Sequence, residues 1–219
     1  FNSDGSFDTT FGTGGTLTIS YSIAGSALYY TDAELMADGR IVVVTQSTSA
    51  NNTWIVSRFN PDGSFDLSFD GDGRQQISFP RAYAYPYALA LQDDGRIVAA
   101  GKVYDDYLVA PKEDMAATRL NNDGSIDTSF GASGRFIYDF SGDRDIANDV
   151  VVRPDGRIVL VGTLADPSSG IKGYALGLVG LTPDGTLDPL FAQSGVYFGD
   201  LPASDNFEEI RAGVLDEQG

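Results

Sequence analysis

The sequence predicts an all-β protein, a β-propeller of four-stranded antiparallel blades, with about three and a half blades in its 219 residues. Three observations lead there. Asp-Gly followed by Ser or Thr recurs at Asp4, Asp62, Asp123 and Asp184, at intervals of 58, 61 and 61 residues. A second Asp-Gly, followed by Arg-Ile-Val, recurs at Asp38, Asp94 and Asp155, at intervals of 56 and 61. Two independent markers that share one period identify a structural repeat. Between the markers the apolar residues are grouped as in strands, without the sustained 3.6-residue pattern of a helical solenoid.

The repeat divides the chain into units of approximately 1–62, 63–123, 124–184 and an incomplete 185–219. Each unit reads as four strands. In the second, Arg74–Phe79 is partly polar, as an outer strand with one wet face would be. Tyr87–Gln92 is largely apolar, and Asp94-Gly95 is a hairpin turn whose central positions favour positive φ. Ile97–Gly101 is a continuous apolar run, and Met115–Asn121 is the fourth strand. The third unit repeats this with Arg135–Phe140, Asp149–Arg153, Ile158–Gly162 and Tyr174–Thr182. The first offers Thr16–Tyr21, Ala33–Ala37, Ile41–Thr45 and Trp54–Asn60. A run such as Ile158-Val159-Leu160-Val161 has no polar face, so both faces must be covered. Small antiparallel sheets covered on both faces are blades wedged between neighbours. A β-helix, which needs shorter rungs and parallel strands, ranks second.

The repeated block reads Asp-Gly-Ser-Phe-Asp-Thr-Thr-Phe-Gly-Thr-Gly-Gly at 4–15, with copies at 62–73 and 123–134 and a weaker one at 184–195. Joined to the Asp-Gly-Arg-Ile-Val hairpin, it resembles the bacterial delta-60 repeat family, which is read as a β-propeller. The resemblance implies a large secreted or surface-attached bacterial protein, and hence an extracellular or cell-surface location. The hairpins also resemble those of NHL-type propellers, in which the strand before the Asp-Gly turn lines the central channel. Propellers close with about 4–8 blades. The expected partners are therefore other blades of the same longer chain, or other copies that complete the ring.

Composition narrows the chemistry. The chain has 14 Lys and Arg against 31 Asp and Glu, a net charge of −17, and neither Cys nor His. Nucleic acids and anionic membranes both require a basic face, which this balance denies them. No apolar run approaches the ~20 residues of a membrane-spanning helix, so membrane insertion is not expected. Without Cys and His there is no disulfide, thiolate nucleophile, Ser-His-Asp triad or His-ligated metal. Only carboxylate or tyrosine chemistry remains, and no cofactor is expected.

Much of the acidity belongs to turns. The second aspartate of each block (Asp8, Asp66, Asp127, Asp188) precedes a Phe by three residues and can cap backbone N–H groups of a tight turn. A calcium reading rests on Asp62, Asp66, Asp70 and Asp72, since Ca²⁺ takes six to eight oxygens from such groups. Against it, Asp70 and Asp72 give way to Gly or Ser in the units before and after.

If the repeated turns fix one end of the propeller, recognition belongs at the other, where the copies differ. The candidate ligand-binding residues are Tyr83, Tyr85 and Tyr87, with Tyr104, Asp105 and Asp106 in the next variable loop and Arg144 and Asp145 beyond. Tyrosines beside charged groups suit a glycan or protein ligand. Packing against the adjacent blade is the competing expectation. The reading is a non-catalytic scaffold or recognition module. The alternative is a glycosidase-like enzyme with two carboxylates about 5–10 Å apart.

Overall fold

The computed structural model describes residues 1–18, 28–47, 53–81, 83–104, 112–140, 144–166, 173–199 and 212–214. Among these the strands form three sheets, each antiparallel and ordered as in the chain. The first holds β1 (Leu28–Leu35), β2 (Ile41–Ser47), β3 (Thr53–Phe59) and β4 (Arg74–Ile77). The second holds β5 (Tyr83–Leu91), β6 (Ile97–Tyr104), β7 (Asp114–Leu120) and β8 (Arg135–Tyr138). The third holds β9 (Ile146–Val152), β10 (Ile158–Asp166), β11 (Gly173–Leu181) and β12 (Val196–Gly199). These are the expected propeller blades.

The core lies between the sheets. Val42, Val44, Trp54 and Val56 of the first blade meet Leu89, Ile97 and Ala99 of the second. The opposite face of that second sheet, Val98, Ala100, Met115 and Ala117, meets Val150, Ile158 and Leu160 of the third. Strands β6 and β7 are buried from end to end. This is why the run Ile97–Gly101 of β6 has no polar face. The short strands β4, β8 and β12 form the outer edges.

Blade and sequence repeat are out of phase. The sequence reading put Arg74–Phe79 at the head of a unit leading to Tyr87–Gln92. The structure instead pairs β4 backwards with β3, from Trp54↔Ile77 to Ser57↔Arg74. Likewise β8 pairs with β7. The block folds back on the strand before it, with Asp66 N–H donating to Arg58 O at 2.9 Å. The outer strand therefore closes the preceding blade.

The inner strands also begin earlier than the sequence suggests. Each carries a β-bulge, between Tyr30 and Asp32, between Pro86 and Ala88, and opposite Val161/Gly162. An extra residue shifts the two-residue alternation by one, hiding the upstream half of the strand. The bulges also explain the glycine ending two apolar runs. A Cβ on Gly101 would fall 2.0 Å from Tyr85 O, and one on Gly162 1.9 Å from Ile146 O.

At the Asp-Gly end the blades are tied to one another. The backbone N–H groups of Gly12, Asp70 and Gly131 donate to the carbonyls of Asp62, Asp123 and Asp184 in the next block, at 2.8, 2.7 and 2.8 Å. Phe69 and Phe130 pack beneath the following Gly124 and Gly185 so closely that a Cβ there would lie 2.9 and 2.4 Å from a ring carbon. Positive φ alone does not explain these glycines; the neighbouring blade occupies the space. Two buried arginines complete the tie. Arg58 Nε donates to Asp66 Oδ2 at 2.7 Å, its Nη1 reaches Asn122 O of the next blade, and its guanidinium lies over Phe69. Arg119 repeats this with Asp127, Pro183 O and Phe130. In the third blade Gly180 stands at the equivalent position; the Phe191 ring fills the space, and Arg157 Nε takes Asp188 at 2.8 Å.

A second set of ties joins β1 to β5, and β9 to the segment 212–214. Asp32 Oδ2 accepts from Leu89 N at 2.7 Å, and Asp149 Oδ2 accepts from Gly213 N at 2.6 Å. Each of these aspartates follows the bulge of its strand. The equivalent residue of the second blade is Ala88.

Arg119→Met is expected to cost about 3–5 kcal/mol, because it leaves the Asp127 carboxylate enclosed without its main partner; urea unfolding of both proteins measures this. Gly162→Ala is expected to cost about 1–3 kcal/mol through overpacking against the Ile146 carbonyl, again read from the urea midpoint.

Candidate recognition site

Antiparallel order places the β2–β3, β6–β7 and β10–β11 connections at the same end as the connections between blades. The Asp-Gly turns lie at the other end. At the variable end the structure brings together most of the predicted residues, though on strands as well as loops. Tyr83 and Tyr85 belong to β5, and Tyr104 ends β6. Tyr83 lies directly across from Tyr104, and Tyr85 from Lys102. The Tyr104 ring stacks with Tyr83 at 4.9 Å and with Tyr85 at 5.7 Å between centroids. Its hydroxyl bonds that of Tyr85 at 3.2 Å. The tyrosines thus pack on one another, while Tyr83 and Tyr85 stay half-buried.

Lys102 was missed by the sequence reading, as was Glu113. The ammonium of Lys102 lies 5.5 Å from the Tyr85 ring and 5.9 Å from those of Tyr87 and Tyr104. Cations are attracted to ring faces at this range. Glu113 joins two cations, with Oε1 accepting from Lys102 Nζ at 2.5 Å and Oε2 from Arg144 Nε at 2.6 Å. Nothing in the repeat marks Lys102, because its strand position holds Gln46 in β2 and Thr163 in β10. Burial lifts the Tyr87 hydroxyl above its ordinary range, against the opposing influence of Lys102. Asp105 and Asp106 lie outside the described residues.

Asp145 departs from the expected surface role. It is fully buried. Its Oδ2 accepts from Phe140 N at 2.6 Å and its Oδ1 from Ala165 N at 3.0 Å. Its own N–H donates to Glu113 O at 2.7 Å. It therefore pins the approach to β9 against β10 and against the start of β7. Burial pushes its carboxyl up to about 6; the two backbone N–H groups oppose this, and the charges of Asp139 and Asp114 reinforce it.

Three of the four calcium-candidate aspartates are engaged by other partners. Asp62 accepts from the Ser64 N–H and hydroxyl. Asp66 binds Ser68, Arg58 and Arg40. Burial raises its carboxyl, but these partners outweigh burial and hold it far below the usual range. Asp72 pairs with Arg74 at 3.4 Å. Asp70 has φ of 50°, a left-handed position filled by Gly12 and Gly131 in neighbouring units. Its carboxyl is raised, first by burial and then by the charges of Asp72 and Asp123. Among the described residues no three acidic side chains form a group that could hold a metal ion.

The inner strands enclose a feature the sequence reading did not single out. A cavity of about 620 Å³ is lined by Asp32 and Glu34 of β1, Tyr87 to Leu91 of β5, and Asn148 to Val152 of β9. Glu34 is raised by burial and then by the charges of Asp32 and Asp149. Asp32 and Asp149 each spend both oxygens on backbone N–H groups: Asp32 on Ala33 and on Leu89 of the next blade, Asp149 on Val150 and Gly213.

A protein-family model described as a domain of unknown function (DUF5122) beta-propeller matches residues 37–69 and 92–130. Each match runs from an inner hairpin to the block Phe, and together they cover less than half of the chain. They support a β-propeller repeat family. No curated protein matches the chain.

In an NMR titration the Asp145 carboxyl is expected to change state near pH 6. Its folded-state value exceeds the ordinary 3.8, so its contribution to stability declines as pH rises through that window. Asp70→Gly is expected to raise stability by about 1 kcal/mol by relieving the left-handed backbone. Calorimetry checks this, and adding calcium or a chelator is expected to leave both melting curves unchanged.

Proposed function

We propose that this chain is a non-catalytic β-propeller repeat module of a larger extracellular or cell-surface bacterial protein, a rigid scaffold whose variable rim recognises a protein or glycan. The location follows the delta-60 resemblance. One observation carries the rest: repeated residues are consumed in ties between blades at one end, while the non-repeating Tyr83, Tyr85, Lys102, Tyr104, Glu113 and Arg144 gather at the other. A rigid frame with a diversified rim is the usual arrangement for recognition. Half-buried tyrosines beside paired charges offer ring faces and hydroxyls to a ligand.

The glycosidase alternative draws on Glu34, whose raised carboxyl suits a general acid. It needs a second carboxylate with a free oxygen facing the same cavity. Asp32 and Asp149 favour the structural reading because their oxygens already hold backbone N–H groups.

Glycan and peptide arrays probed with the protein and with Tyr83→Ala and Tyr85→Ala test the reading. Specific hits are expected to weaken about tenfold or more in the variants while their melting temperatures stay close to that of the parent. Hits that survive both substitutions would remove the tyrosines from the site.

A further inference from the structure

The outer clefts between neighbouring blades differ most at the position held by Arg135 in one of them. Between the first and second blades, Arg135 reaches across from the start of β8. Its Nε donates to Ser78 O at 2.7 Å, and its guanidinium lies over the Phe79 ring at 5.9 Å. Phe79 is covered to 9% exposure. One repeat further on, the residues are Asp139 for Ser78, Phe140 for Phe79 and Val196 for Arg135. Valine has neither the reach nor the charge to do the same. Phe140 is left part-exposed, and a cavity of about 340 Å³ opens against Phe140, Gln193, Val196, Tyr197 and Phe198.

We propose that this cleft, at the outer junction of the second and third blades, receives an arginine side chain from a partner polypeptide in the place Arg135 holds one junction earlier. The chain supplies its own template, since the same fold position already binds a guanidinium through a ring face and a carbonyl. The walls suit the occupant. Phe140 and Phe198 stack at 5.3 Å, and Tyr197 is 45% exposed at the rim. A guanidinium gains most over an aromatic face when it is shielded from water. Its planar fork also matches carbonyl acceptors better than an ammonium does. Asp139 brings a carboxylate where the earlier junction has a neutral Ser78, and its charge is felt at Tyr138 and Asp145. A chain with net charge −17 draws a basic segment by long-range attraction. The cleft is lined by residues other than those of the tyrosine cluster, and the proposal stands whether or not that cluster binds a ligand.

The test uses the full chain with N-acetyl-arginine amide as probe and N-acetyl-citrulline amide as its neutral isostere. Aromatic resonances of Phe140 and Phe198 are followed by NMR. Saturable shifts with arginine, at least about tenfold weaker with citrulline, are expected. Val196→Arg is expected to abolish them by filling the cleft from within and to raise the melting temperature. Phe140→Leu, which keeps an apolar floor but removes the ring, is expected to weaken the arginine response even if Val196→Arg fails to fold. No saturable response, an equal response to citrulline, or a response unchanged by Phe140→Leu would each overturn the proposal.

Discussion

The architecture depends on a buried guanidinium that serves two blades at once. Arg58 and Arg119 are almost completely enclosed, and each neutralises the aspartate of its own block while holding a backbone carbonyl of the next blade. A buried charge is costly unless paired and fully hydrogen-bonded. The block supplies that pairing: its aspartate for the ion pair, its Ser for a further bond to the carboxylate, and its Phe as a ring beneath the guanidinium. The motif can therefore be satisfied only when the next blade's turn is in place. Local turn chemistry and radial assembly become one requirement.

That coupling explains which parts of the block repeat. The capping aspartate serves its own turn, so it appears in all four copies. The block glycines Gly63, Gly124 and Gly185 face the Phe of the preceding block, which leaves no space for a Cβ at Gly124 or Gly185. The third blade shows that the arginine is replaceable. With Gly180 in its position, an aromatic ring takes the volume and Arg157 takes the charge of Asp188.

Sequence reasoning reached the blade count, the hairpins and the capping aspartates because these are local and recur three or four times. It placed the outer strands with the wrong neighbours, since pairing direction depends on the block folding back on Arg58, which no spacing reveals. It shortened the inner strands because each bulge breaks the alternation that marks a strand. Arg58 and Arg119 were not singled out: their partners lie 64 residues away, and Gly180 interrupts the series. The Asp32 and Asp149 ties were hidden likewise by Ala88. At the variable end Tyr83, Tyr85 and Tyr104 were visible by residue type. Lys102 and Glu113, which organise them, were not, and Asp145 proved to be a buried brace.

The division between a tied end and a free end is tested most directly by native-state hydrogen exchange. The amides of Asp70 and Gly131 cross blade junctions without belonging to any strand. If those junctions hold the assembly together, these amides exchange only through global unfolding, with the same free energy as the buried strand β6. Exchange through local opening, at a free energy well below that of β6, would contradict the account.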